Sequence, residues 1–115
     1  MRMDYARNVG GDVNVLQTLR ISVDSYPQST AARVQLMREL LAVDKEDEAF
    51  PHMVYLGKQN VSEAAYCAGI YHLQQGNFEQ AHKWMEHAHN LNPSHEETLR
   101  QLTILRTNFQ ELAVN

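Results

Sequence analysis

Apolar residues recur at steps of three and four along most of the chain, which is the spacing of amphipathic helices. The pattern is clearest between Val61 and His95, where two such stretches flank a turn at Gly76-Asn77. The first stretch presents a face of mostly small residues, Ala65, Ala68, Gly69 and His72. The second alternates large and small residues, Phe78, Ala81, Met85 and Ala88. These faces predict two helices packed closely as an antiparallel hairpin.

The segments before this hairpin show the same helical spacing. Asp12 can cap a first helix that ends before Tyr26-Pro27, and a second helix is predicted to begin near Ser29. A third helix is predicted to begin near Asp47, because Pro51 is tolerated only in a first turn.

The segments after it complete the set of helices. Gly57 or Asn60 can end the third helix in a left-handed conformation. Ser94 is placed to cap a final helix that reaches Leu112. No segment alternates with a period of two between hairpin turns, so an all-α fold of six helices is predicted.

The stretch over residues 61–94 resembles a tetratricopeptide repeat (TPR), whose signature is Trp-x2-Leu-Gly-x2-Tyr, then Ala-x3-Phe, then Pro within 34 residues. Gly69, Ala81 and Pro93 match this signature, and four positions depart from it: Ala65, Ala68, His72 and Met85. The resemblance implies antiparallel helical hairpins stacked as a short TPR-like solenoid with a C-terminal capping helix. Residues 1–11 would be a flexible arm before a single TPR-like domain over 12–115. That domain would consist of a half repeat (12–27), a degenerate repeat (29–60), the clear repeat (61–94) and the capping helix (95–112).

The composition of the chain limits its function classes. A hydrophobic content of 43% over 115 residues suits one globular domain with a modest core. The formal net charge of -4 argues against a nucleic-acid partner, which needs clustered lysine and arginine. The single cysteine, Cys67, excludes an internal disulfide, and no apolar run approaches the ~20 residues of a membrane span. Since the N-terminus also lacks a signal-peptide pattern, we expect a soluble cytoplasmic protein with no membrane contact.

Few residues are arranged for catalysis or metal binding. His82, Glu86 and His89 share a helix face, but a solvated face is favoured over a metal site because no fourth ligand accompanies them. His72 is predicted to be buried and hydrogen-bonded within the hairpin. Cys67 and His72 diverge on their helix, and no glycine-rich phosphate loop occurs. The sequence therefore predicts a non-enzymatic protein without catalytic residues, cofactor or metal.

The remaining candidate site is a surface. In TPR proteins the first helix of each hairpin lines a concave groove, and the resemblance places these residues there: Val34, Arg38, Leu41, Tyr66, Ile70, Leu73, Arg100 and Ile104. Ile70 and Leu73 lie off the face that joins the two helices of the hairpin, so something else should cover them. An amphipathic helix or hydrophobic peptide suits this groove, with Arg38 and Arg100 binding its acidic flank.

Two functions are expected from such a groove. The first is a TPR adaptor or chaperone for a protein or peptide partner, similar to the small TPR chaperones of bacterial secretion systems. The second is self-association as a homo-oligomer, with the groove closed by a second copy. The arm over residues 1–11 could cover the groove instead. Acidic heat-shock peptides are disfavoured as partners, because the TPR proteins that bind them use lysine and asparagine at these positions.

Overall fold

The computed structural model describes the backbone of residues 12–114 and the side chains of residues 15–107. Six helices follow one another in this part of the chain: α1 (Asp12–Ser25), α2 (Thr30–Ala42), α3 (Glu46–Lys58), α4 (Ser62–Gln74), α5 (Phe78–Leu91) and α6 (Glu96–Val114). The described residues contain no strand, which confirms the all-α fold class. None of the described helices is both long and apolar enough to cross a membrane. The arm predicted over residues 1–11 lies outside the described residues.

The boundaries of α2 and α3 follow local capping chemistry. The Ser29 hydroxyl accepts a hydrogen bond from the Ala32 backbone N–H at 3.2 Å, which confirms the predicted start of α2. After α2, Asp44 takes the left-handed conformation with a φ of 61°, and after α3 Asn60 takes it with a φ of 68°. Aspartate and asparagine tolerate this conformation because their short polar side chains bond locally.

One expectation for α3 is wrong, and one is confirmed by the second of its two alternatives. Pro51 lies in its second turn instead of its first, where its ring is exposed and its missing N–H costs one backbone hydrogen bond. Gly57 does not end the helix but lies inside it and is buried. Of the two residues predicted to take the left-handed conformation there, Asn60 is the one that does so.

The start of α6 also differs from the prediction. Ser94 donates its hydroxyl to Asn92 Oδ1 at 2.9 Å and does not cap the helix. His95 is the cap, because its Nδ1 accepts a hydrogen bond from the Thr98 backbone N–H at 3.3 Å. The Thr98 hydroxyl lies 2.6 Å from the same nitrogen, and this threonine is fully buried.

The chain divides into two compact units, residues 1–52 and 53–115. The single domain predicted over 12–115 therefore stays a prediction. In the first unit the buried side chains lie on α1, α2 and the start of α3: Leu16, Val23, Leu36, Met37, Leu40 and Ala49. A bidentate ion pair joins the Arg20 guanidinium to the Glu48 carboxylate at 2.7 and 2.8 Å.

The second unit is built on the predicted α4–α5 hairpin. The small residues of α4 and the facing residues of α5 are buried as predicted, namely Ala65, Ala68, Gly69, Ala81, Met85 and Ala88. A Cβ added to Gly69 would lie 2.8 Å from Cε and 3.1 Å from Cγ of Met85, so the two helices approach as closely as a glycine permits. Phe78 is the exception, because 47% of it is exposed. Ala81 and Met85 continue into a core cluster with Leu102 and Leu105 of α6.

Candidate interaction surface

The α4 residues assigned to the groove belong partly to the core of the second unit. Tyr66, Ile70 and Leu73 are half-buried and pack against the cluster formed by Ala81, Met85, Leu102 and Leu105. The expectation that Ile70 and Leu73 stand apart from the packed faces is therefore wrong. Residues of both α5 and α6 form that cluster, and the accessible parts of these three side chains are what is left for a ligand.

Helix α6 adds a charged and an apolar residue to this surface. Ile104 is 48% exposed, and Arg100 lies one turn before it on the same side of the helix. The Glu97 carboxylate accepts hydrogen bonds from Arg100 Nη1 at 2.6 Å and from Gln101 Nε2 at 3.0 Å. An acidic group of a ligand would therefore compete with Glu97 for the Arg100 guanidinium.

Tyr66 links α4 to the start of α6. Its ring meets the His95 ring edge-on, with 5.1 Å between centroids. Burial raises the pKa of the Tyr66 hydroxyl, and the nearby Glu97 carboxylate raises it further, so the hydroxyl stays neutral and can donate a hydrogen bond. A cavity of about 110 Å³ lies beside this ring, lined by Ser62, Glu63, Tyr66, Ala88, Asn92, His95 and Thr98. Ligand sites usually measure about 300–1,000 Å³, so this cavity is too small for a drug-sized molecule.

The other predicted groove residues lie on α2, in the first unit. Val34 and Leu41 are half-buried and Arg38 is exposed. Their spacing of four and three places all three on one face of α2. The structure thus gives two separate groups, one on α2 and one on α4 and α6, and the single groove that would combine them stays a prediction.

His87 and Glu86 of α5 have structural partners. The Glu86 carboxylate lies 3.7 Å from Arg106 Nη2, and the carbonyl oxygen of Gly57 accepts a hydrogen bond from His87 Nε2 at 2.9 Å. His82 and His89 are half-buried. Among residues with described side chains, no three His, Cys, Asp or Glu residues are placed to share a metal ion.

His72 is half-buried, and its Nδ1 lies 3.3 Å from Asn77 Nδ2 in the turn between α4 and α5. Burial lowers its pKa, which favours the neutral imidazole. This agrees with the predicted hydrogen-bonded histidine, although the burial is only partial.

Sequence reasoning missed a groove between α1 and α2 in the first unit. It has a volume of about 500 Å³ and is lined by Val15, Thr18, Leu19, Ala31, Ala32 and Gln35. The sequence did contain a signal for this groove. The half repeat has only its second helix, α1, which is followed directly by the first helix of the next repeat, so the place of its own first helix is empty.

Known proteins resemble this chain in the sequence of one repeat and in the fold. The sequence profile of the tetratricopeptide repeat matches residues 62–95, which confirms the repeat. No curated protein sequence matches the chain. The structure of MamA AMB-1 is similar with a TM-score of 0.76 and 17% identity, covering 91% of this chain and 58% of that one.

Two further solved structures agree with this likeness. A second MamA crystal structure has a TM-score of 0.77 and 14% identity, with 94% of this chain and 64% of that chain covered. MamA 41-end from Desulfovibrio magneticus RS-1 has a TM-score of 0.69 and 17% identity, with 91% and 60% covered. The chain spans less than two thirds of each of these proteins, and at such identities the likeness shows the fold, which is TPR-like.

Proposed function

Residues 62–95 are a tetratricopeptide repeat, and from this premise we propose that the chain is an adaptor or chaperone that binds a helical or hydrophobic segment of a partner protein. The repeat and the TPR-like fold support a protein–protein interaction module at the coarse level. The finer proposal concerns where the segment binds. It assigns the binding to the surface formed by Tyr66, Ile70 and Leu73 of α4 with Arg100 and Ile104 of α6, which we call the α4–α6 surface.

The observation that carries the proposal is the exposure of Ile104 on α6 together with a half-buried apolar row on α4. Ile104 is 48% exposed, and the edges of Ile70 and Leu73 are accessible on the neighbouring helix. Burying the accessible part of such side chains contributes about 25 cal/mol per Å² of apolar area. An amphipathic helix with apolar residues at steps of three and four would cover this row.

The charged part of the surface determines the orientation of the segment. Arg100 is held by Glu97 of its own helix at 2.6 Å, so its guanidinium is already positioned. A carboxylate on the partner segment would compete with Glu97 for this guanidinium and form charge-assisted hydrogen bonds with it. We assign Arg38 of α2, which is exposed, the same role in the first unit.

Affinity purification from the native cell, with quantitative mass spectrometry, tests the proposal. Wild-type bait is compared with Ile104→Ser, which changes an exposed side chain without entering the core, and with the control Ile21→Ser, which changes an exposed isoleucine of α1. A specific partner should be lost with Ile104→Ser and retained with Ile21→Ser. Titration of the purified partner segment should then show binding at least about tenfold weaker for Ile104→Ser. Equal binding by both variants would reject the α4–α6 surface.

The alternative is that a second copy of the chain closes this same surface. Sedimentation of the purified protein distinguishes the two, because a closed homodimer through the α4–α6 surface would be stable and would dissociate with Ile104→Ser. A dimer that keeps Ile104 inaccessible would replace the adaptor proposal.

A further inference from the structure

The groove between α1 and α2 has a counterpart elsewhere in the chain. Aligning Pro27 with Pro93 matches α1 with α5, both of which contain 14 residues, and matches α2 with α6. Val15 and Leu19, which line the groove, then correspond to Ala81 and Met85. The same arrangement of a second helix and a following first helix thus lies within each of the two units.

The two arrangements differ in what covers them. In the second unit, α4 packs on α5 and α6, so Ala81 and Met85 are fully buried under Ile70 and its neighbours. In the first unit, Val15 and Leu19 are half-buried beside an open volume of about 500 Å³. Within residues 12–52 no helix takes the place that α4 takes in the second unit. The groove therefore has the lining for a helix of the α4 type.

Helix α6 is of the α4 type and has an uncovered face. Aligning the start of α6 with that of α4 matches Leu99 with Ala65, Thr103 with Gly69 and Ile104 with Ile70. In α4 the corresponding positions are covered by α5 and α6. In α6 they are open, since Leu99 is 43% and Ile104 48% exposed.

We propose that α6 of one copy of the chain binds in the α1–α2 groove of a second copy. The contact completes a hairpin across two molecules, with Leu99 and Thr103 of one copy against Val15 and Leu19 of the other. Two different surfaces meet in it, so the contact is heterologous and propagates head to tail unless the chain of copies closes into a ring. This inference goes beyond the proposed function, because its central residues, Leu19 and Leu99, lie outside the α4–α6 surface.

Complementary variants test the contact. Leu19→Glu closes the groove to apolar residues and leaves α6 intact, whereas Leu99→Glu disables α6 and leaves the groove intact. By analytical ultracentrifugation the wild-type chain should assemble beyond a dimer as concentration rises, and each variant alone should be monomeric, with self-association weakened at least about tenfold. An equimolar mixture of the two should form a one-to-one dimer and nothing larger, because only one intact contact remains.

Two controls keep the test specific. Ile21→Glu changes an exposed residue of α1 that does not line the groove, and it should assemble like wild type. Ala31→Trp fills the groove from an exposed position without placing a charge in it, so it should behave like Leu19→Glu. Circular dichroism must show native helicity for every variant.

Several results would overturn the inference. A wild-type chain that stays monomeric at all concentrations, or a variant mixture that stays monomeric, would reject the contact. Assembly only after deletion of residues 2–11 would assign the groove to that segment instead. By contrast, capture of the cellular partner by Leu19→Glu, together with loss of assembly, would support the contact and show that it is separate from the proposed function.

Discussion

Replacing Gly57 with alanine should destabilise the second unit, although the same change in an ordinary helix is stabilising. Gly57 lies inside α3, where alanine is favoured over glycine by about 1 kcal/mol. The added Cβ, however, would lie 2.5 Å from Cζ3 and 3.1 Å from Cη2 of the Trp84 ring. Carbon atoms pack favourably at about 3.5 Å or more, so the helix and the ring would have to separate by about 1 Å.

The rigidity of the Trp84 ring determines how much stability Gly57→Ala should cost. An indole cannot bend at one atom, and the hydrogen bond from His87 Nε2 to the Gly57 carbonyl oxygen, at 2.9 Å, ties the same turn of α3 to α5. Overpacking costs about 1–3 kcal/mol, and a rigid neighbour places this site in the upper part of that range. The gain in helix propensity offsets about 1 kcal/mol of this cost. The free energy of unfolding should therefore fall by about 1–2 kcal/mol, or roughly 4–8 °C in melting temperature for a chain of this size.

Thermal unfolding followed by circular dichroism measures this loss. Trp84 is the only tryptophan of the chain, so its fluorescence also reports whether the ring has moved. Gly69→Ala in α4 is the matched control, because its Cβ would come closest to Cε of Met85, the end of a flexible side chain. We expect a smaller loss there.

A double-mutant cycle isolates the contact. In a Trp84→Leu background, Gly57→Ala should be neutral or stabilising, because the obstacle is gone and the helix propensity remains. A higher melting temperature for Gly57→Ala in the wild-type background, with unchanged tryptophan emission, would refute the packing of α3 on Trp84.

Three further changes test other parts of the second unit. Ile70→Ser with Leu73→Ser should lower the free energy of unfolding in guanidinium by about 1–3 kcal/mol, since both pack against the core; an unchanged midpoint would show that they serve only a binding surface. Burial lowers the pKa of His72 below its ordinary 6.5, so its contribution to stability is present above that pH and is lost as the pH falls through the folded-state value. His72→Gln should therefore reduce the drop in melting temperature between about pH 7.5 and 5.5, and an undiminished drop would contradict this. His95→Ala should lower the free energy of unfolding by about 0.5–2 kcal/mol, because it removes the cap of α6. His95→Asn should keep most of that stability, since asparagine is also a capping residue. Equal losses in the two variants would show that capping is not the cause.

The helices and the repeat could be predicted because they depend on local spacing. Steps of three and four located all six helices, and Ser29 marked the start of α2 through ordinary N-cap chemistry. The start of α6 was missed because an imidazole cap depends on the placement of His95 against Thr98, and a nearby serine is the commoner capping residue.

The candidate site was harder to predict, because it depends on contacts between distant segments. A first helix in a stack packs against two neighbours, and the pattern of a single hairpin indicates only one of them. Ile70 and Leu73 were therefore placed outside the core. Gly57 was considered, beside Asn60, as a possible helix end for a similar reason. Its packing partner, Trp84, lies on another helix, and no local pattern connects the two.

The contact between Gly69 and Met85 also makes the α4–α5 hairpin sensitive to oxidation. The Met85 side chain is fully buried, and its Sδ lies 3.1 Å from the point where a Cβ of residue 69 would stand. The sulfur is not accessible to solvent while the helices are together, so peroxide should modify Met85 only when they separate. The rate of sulfoxide formation at Met85 would therefore follow how often the hairpin opens. Each modified molecule would then be unable to close again in the same packing.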